Sequence, residues 1–286
     1  MAVYEHAYAP YAGPLTPRWS RFLIIPRHAV RDVFRSKLLT GVFAVSFVYP
    51  LVAAILIYLH HNVNALSILD LPVDELPPID TTFFRIYVST QARFAFLITL
   101  FVGPTLISSD LANNGLPLYL ARPFTRFEYV AGKLTVVIAL LSAVTWIPGL
   151  LLVGLQAYLE GGSWLANHLP IVLGVFAGSW LWILVLSMLA LAVSAFVKWT
   201  IAARAALFGA MIVPSALAAV INQSFQTTWG SLVSPSACLY SILVTLLGSE
   251  ARVDVPAAAA LVTIAIVIAL CAGALALKIR AYEVIR

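Results

Sequence analysis

Apolar residues in this chain come in long blocks, with neither the alternation of a half-buried strand nor the narrow stripe of a surface helix. Six blocks stand out, at roughly 38–59, 86–108, 134–158, 171–196, 205–222 and 256–278. A helix crossing the hydrocarbon core of a bilayer needs about 20 predominantly apolar residues, so each block predicts a membrane span. A seventh run, Ser231–Leu247, is short, contains Pro235 and opens on Ser234–Ser236, which predicts a re-entrant or interfacial hairpin. The fold expected is an all-α integral membrane protein. It has six transmembrane helices, an N-terminal interfacial amphipathic helix and a re-entrant hairpin before the last span.

The segments between the blocks give the organisation of a single domain over 1–286. Residues 1–37 form a cytoplasmic arm and an interfacial helix, 109–133 a cytoplasmic loop, and 223–255 an outside re-entrant segment. Within the first, Arg27, Arg31 and Arg35 fall with His28, Asp32 and Ser36 on one half of a helical wheel, and Ala29, Val30, Val33 and Phe34 on the other. Such a helix lies in the membrane interface, apolar face down. The first block follows 37 residues of polar and aromatic sequence and is long enough to span, so it reads as a retained span and not a signal peptide. In the fifth, Ala202, Ala206 and Ala210 recur every four residues beside Gly209, a stripe that suits either a packing face within the chain or a dimer seam.

Composition agrees with the pattern: 62% of the 286 residues are hydrophobic and 10% charged, and mean hydropathy is +0.98. These values exclude a water-soluble globule. The net charge of +5 concerns topology and acidic lipid, not nucleic acid. With six spans, fourteen of the seventeen basic residues fall on one side, and Arg85, Arg93 and Arg252 on the other with seven of the twelve acids. The positive-inside rule then predicts a multi-pass protein of the cell (inner) membrane with both termini cytoplasmic.

The residues that would carry chemistry are few. No phosphate-binding loop is present, since Gly132-Lys133 lacks the earlier glycine and the following Ser or Thr, so no ATPase activity is expected of this chain. No Asp or Glu lies within the six blocks, which argues against a proton relay. Cys238 and Cys271 have no metal-ligand spacing. An outside metal site from His60, His61, Asp70, Asp74, Glu75 and Asp80 would make the protein a membrane enzyme; an exposed acidic loop is the plainer reading. Arg93 sits inside the second block. It either snorkels outward or faces a cavity, where Glu250, Asp254 or an anionic cargo would pair with it as an outer gate. Ser46, Tyr49, Gln156 and Asn222 are the sparse polar groups of the spans and suggest an amphipathic or lipid-linked cargo.

The 109–133 loop carries a recognisable order of residues. Ile107-Ser-Ser-Asp110 is followed by Asn114-Gly115, then Leu-Ala-Arg122-Pro123, then Arg126-Phe-Glu128-Tyr, and finally Gly132-Lys133. This order resembles the cytoplasmic loop of type-two ABC exporter permeases. The ending Lys278-Ile-Arg280-Ala-Tyr-Glu283 and the basic helix before the first span are similar to that family too. Asp110 stands where the family more often has Glu, and Pro117 interrupts its Leu-rich stretch. The resemblance implies a permease half that pairs with a second copy or homologue and with separate ABC ATPase subunits, which would bind the ATP and Mg; no cofactor is implied in this chain. It also implies that Asp110, Asn114, Gly115, Arg122, Pro123, Arg126, Glu128 and Lys133 couple the permease to the ATPase. A non-transporting anchor or regulatory subunit is the competing expectation.

Overall fold

The computed structural model describes residues 24–62, 76–113 and 125–278. Among them every regular element is helical. The amphipathic helix is α1 (Ile24–Val33). Six helices are long and apolar enough to cross a membrane: α2 (Lys37–His61), α3 (Thr81–Ala112), α4 (Phe127–Glu160), α5 (Leu169–Phe196), α6 (Thr200–Phe225) and, last, α8 (Ala257–Lys278). The shorter apolar helix α7 (Pro235–Leu247) lies between the last two. The chain is therefore an all-helical, multi-pass membrane protein, as the six blocks predict.

Helices suit such blocks because each closes its backbone hydrogen bonds within itself, where lipid offers none. Their starts are set by polar side chains. Asp80 accepts from the Phe83 amide at 2.9 Å and starts α3 five residues before the apolar block. Thr125 and Glu128 form a reciprocal capping box at the start of α4. Ser234 caps α7, with Pro235 in its first turn and Gly248 in the left-handed region (φ 63°) after it.

The middle of the bundle is α3, α4 and α5; α2, α6 and α8 bury much less of their surface. α3 approaches α5 closely at Gly103, where a Cβ would come within 2.5 Å of the Ala190 Cβ. α5 contains one π-helical turn, Gly174–Gly178. Side chains of α7 fill the space its glycines leave, Leu247 against Gly174 and Leu243 against Gly178.

Two spans are interrupted, and α3 braces both. In α2 the helix breaks at Phe47, and Pro50 has no amide to return to the Ser46 carbonyl. The buried Gln91 donates its Nε2 to that carbonyl at 3.1 Å. In α4 the break is at Thr145, ahead of Pro148, and the Tyr87 hydroxyl donates to the Thr145 carbonyl at 3.1 Å. Tyr87 and Gln91 are one helical turn apart, on one face of α3.

After Phe225 the chain turns at Gln226 (φ 48°) and runs back beside α6. Gly230 lies against Asn222 and the Ala218 carbonyl, and Ser234 and Ser236 reach Ser215 at 2.9 and 3.0 Å. Ser215 is ten residues before Phe225, so the hairpin returns about 15 Å along α6 before α7 leads out again. The short seventh run thus consists of a 3₁₀ turn and the helix α7, packed against α6.

Candidate functional site

The residues flanking the 109–133 loop converge at its base. Asp110 is in the last turn of α3 and Lys133 in the second turn of α4, and the Lys133 Nζ lies 2.8 Å from the Asp110 Oδ2. The Tyr129 hydroxyl donates to the same oxygen at 2.7 Å. The Lys133 and Asp110 side chains are only 8% and 16% exposed, so this is a largely dry ion pair that clamps the two ends of the loop together. Tyr129, fully buried, also carries the Lys133 ammonium 5.6 Å from its ring centroid.

Three of the residues expected to couple to a partner therefore have partners within the chain as well. Asp110 and Lys133 face each other because either charge alone would be costly in apolar surroundings. The Glu128 carboxylate accepts from the Thr125 amide at 2.7 Å as half of the capping box. Asn114, Gly115, Arg122 and Pro123 lie outside the described residues, and Arg126 stands in the first turn at the head of α4. The arm 1–23 and the Arg280–Glu283 ending lie outside them as well.

Beside the clamp, α1 lies against the bundle. Ala29, Val30 and Val33 pack on the core cluster that includes Tyr129 and Val136, while Arg27, Arg31 and Arg35 are exposed. Arg35 pairs with Asp32 at 3.2 Å. The predicted division of faces holds for these residues, with two differences. The apolar face covers protein, chiefly α4, and the helix stops at Val33 because Ser36 caps α2. A cavity of about 580 Å³ lies beside this contact, with Asp32, Asp110, Lys133 and Arg204 on its walls.

The neighbouring stretch of α3 is held by one hydroxyl. Pro104 interrupts the hydrogen-bond ladder, and Ser194 of α5 inserts there. Its Oγ accepts from the amides of Ile107 (3.1 Å) and Ser108 (2.8 Å) and donates to the Pro104 carbonyl (3.0 Å). Ser108 in turn donates to the Val197 carbonyl at 2.6 Å, between α5 and α6. The end of α3 that carries Asp110 is thereby tied to α5.

A second cavity, of about 490 Å³, opens between α3, α5, α6 and α7. α3 lines it with Ser89 and Arg93, α6 with Met211 and Ser215, and α7 with Ser236 and Tyr240. In each helix the two residues are four apart, so each turns one stripe to the cavity. Arg93 is exposed and makes no hydrogen bond or ion pair with any described residue. The structure does not bring it to the expected acids: Asp254 accepts from Ser231 Oγ at 2.8 Å, within a chain that Asn222 extends, and Glu250 is exposed. The pairing with Glu250 or Asp254 is corrected on this geometry, because the α7 hairpin presents hydroxyls to Arg93, not carboxylates.

Sequence reasoning missed Ser89, Ser215, Ser236 and Tyr240. The spacing of Ser89 to Arg93 was the available signal. The polar groups it did single out are braces instead: Ser46 donates to the Phe43 carbonyl, Gln156 to Glu160, and Tyr49 stacks on Tyr87. On α6, Ala202 and Ala206 are exposed while Ala203, Leu207 and Met211 are buried. The small-residue stripe is therefore mostly outside the chain's own packing. Among the described residues no three His, Cys, Asp or Glu side chains are placed to hold a metal. Asp80 is spent as a cap and His61 lies 3.5 Å from Glu160; Asp70, Asp74 and Glu75 are outside the described residues. Comparison with protein-family models and with curated proteins finds no match for this chain.

Proposed function

We propose that this protein is the transmembrane permease subunit of an ATP-driven ABC exporter or flippase of the cell membrane. It forms half of a translocation path with a second copy or homologue and takes its energy from separate ATPase subunits that bind ATP and Mg. The observation that carries the reading is the clamp of Asp110, Lys133 and Tyr129. It joins the two ends of a charged loop, at the end of α3 and the start of α4, which is what a lever driven by a partner needs. The Ser194 insertion gives that lever a firm connection to α5. In this reading both termini and the loop are cytoplasmic, and the hairpin 223–255 enters the bilayer from the opposite side without crossing it. The exposed Ala202 and Ala206 face lies toward the second permease.

The test is co-purification of the full-length chain with an ATPase encoded beside it, followed by measurement of cargo-stimulated hydrolysis. Arg126→Glu should abolish association or stimulation while the permease still inserts, because a reversed charge at a contact introduces repulsion without touching the spans. A permease that binds no ATPase, or an Arg126→Glu complex with normal stimulated turnover, would refute the reading and favour an anchor or regulatory subunit.

A further inference from the structure

The cavity between α3, α6 and α7 holds a cation for which the described residues supply no counter-charge. Arg93 sits twelve residues into α3, about 18 Å along the helix. Among the described residues no carboxylate lines the cavity beside it. Two turns away on the same face, Arg85 donates from Nη1 to the Tyr240 hydroxyl at 2.9 Å, and its Nε is shielded from solvent with no acceptor. Ser89, between the two arginines, has a shielded Oγ that makes no hydrogen bond. One guanidinium, that of Arg93, thus lines this space with Ser89, Ser236 and Tyr240, and Arg85 stands behind Tyr240. A cation within a membrane span is costly unless paired, and every group here except the missing anion is present.

The rest of the cavity says what form that anion takes. Phe96, Leu97, Met211 and Ile212 continue the wall beyond Arg93, and Leu97 and Ile212 are exposed at its rim. The opening is therefore sideways, between apolar side chains of two spans, where acyl chains lie. A volume of 490 Å³ suits a headgroup with its polar linkage, while tails would leave through the apolar rim. Guanidinium forks match phosphate oxygens in a bidentate way. We infer that this cavity binds the phosphate headgroup of an anionic membrane phospholipid, with Arg93 as its main ligand and Ser89, Ser236 and Tyr240 beside it. The inference rests on the transport reading for the cavity's role, as the place where a lipid or lipid-linked cargo is held by its phosphate; binding itself requires no ATPase.

Trp182 also lines the cavity and provides the measurement. The full chain, without any ATPase, is placed in vesicles of phosphatidylcholine that contain either brominated phosphatidylglycerol or brominated phosphatidylcholine with the same acyl chains. Quenching of tryptophan fluorescence is compared, with Trp182→Phe used to isolate the contribution of that ring. The expected result is preferential quenching of Trp182 by the anionic lipid, by about fivefold to tenfold in relative affinity. Arg93→Gln should erase the preference and Arg93→Lys should retain part of it, since the charge survives without the fork. Arg93 makes no hydrogen bond or ion pair with any described residue, so neither variant removes a bond that holds the fold, and Ser236→Ala gives a milder, independent loss. Equal quenching by the two lipids, or a preference unchanged in Arg93→Gln, would overturn the inference. So would reversal of the preference by inorganic phosphate, which would assign the guanidinium to a soluble anion. Lipid selectivity in a chain that never engages an ATPase would leave this site standing while refuting the permease; the converse result would do the opposite.

Discussion

Replacing Lys133 by Met keeps most of the apolar stem and removes the ammonium that faces Asp110. The pair is 2.8 Å apart with side chains 8% and 16% exposed, so the carboxylate left behind is poorly hydrated and, among the described residues, keeps the Tyr129 hydroxyl alone. Removing one member of a buried pair costs about 3–5 kcal/mol. The remaining hydrogen bond, and a position at the end of the bundle, set the expectation at about 3 kcal/mol, or about a hundredfold in a local equilibrium. The cost should be local, because the clamp joins the end of α3 to the start of α4. Amide hydrogen exchange reads this directly: residues 106–112 and 127–135 should exchange about a hundredfold faster in Lys133→Met, with the middle of α5 unchanged. Converting Asp110 to Asn in the same chain removes the stranded charge, so the double variant should recover most of the protection. If Lys133→Met exchanges like the wild type, or if the double variant is no better protected, the ion pair does not close the loop base.

Two glycines on different helices should respond oppositely to Ala when thermal unfolding is followed in detergent. Gly103→Ala places a Cβ within 2.5 Å of the Ala190 Cβ and should destabilise by about 1–3 kcal/mol, whereas Gly209→Ala meets nothing within 4 Å and should stabilise by up to about 1 kcal/mol. For topology, cysteines at Ser163 and Ser249 should be labelled by an impermeant reagent from outside intact cells, and one at Thr125 only after permeabilisation; Cys238 and Cys271 are buried and should give little background. Labelling of Thr125 in intact cells would refute the orientation.

The six spans were legible because each exceeds the length at which an apolar run has no other stable use. Their ends were less so: α3 begins at Thr81, where Asp80 caps it, although Thr81, Thr82 and Arg85 read as loop. The break at Phe47 leaves a trace in Pro50, but the Gln91 that repairs it is 41 positions further on, and spacing along one helix says nothing of a neighbour. The same limit governs the sites. Arg93 is conspicuous as a charge inside a span, yet its surroundings depend on where the α7 hairpin lies against α3. At the loop, Arg122, Arg126, Glu128 and Lys133 read as one charged set, but the ion pair of Lys133 with Asp110 and the use of Glu128 as a cap depend on how α3 and α4 pack, which spacing does not give. Charges in an apolar chain find one another or a helix end before they find a partner.

The repair of α2 by Gln91 has a consequence for how this protein can vary. An ordinary residue at position 50 would return an amide to the Ser46 carbonyl, and the Gln91 amide would lose its acceptor in a buried place. Changing Gln91 alone would strand the carbonyl instead. Either single step is penalised and the joint step is not, so Pro50 and Gln91 should be gained and lost together in descendants of this chain, inherited as a single character although they lie on different helices.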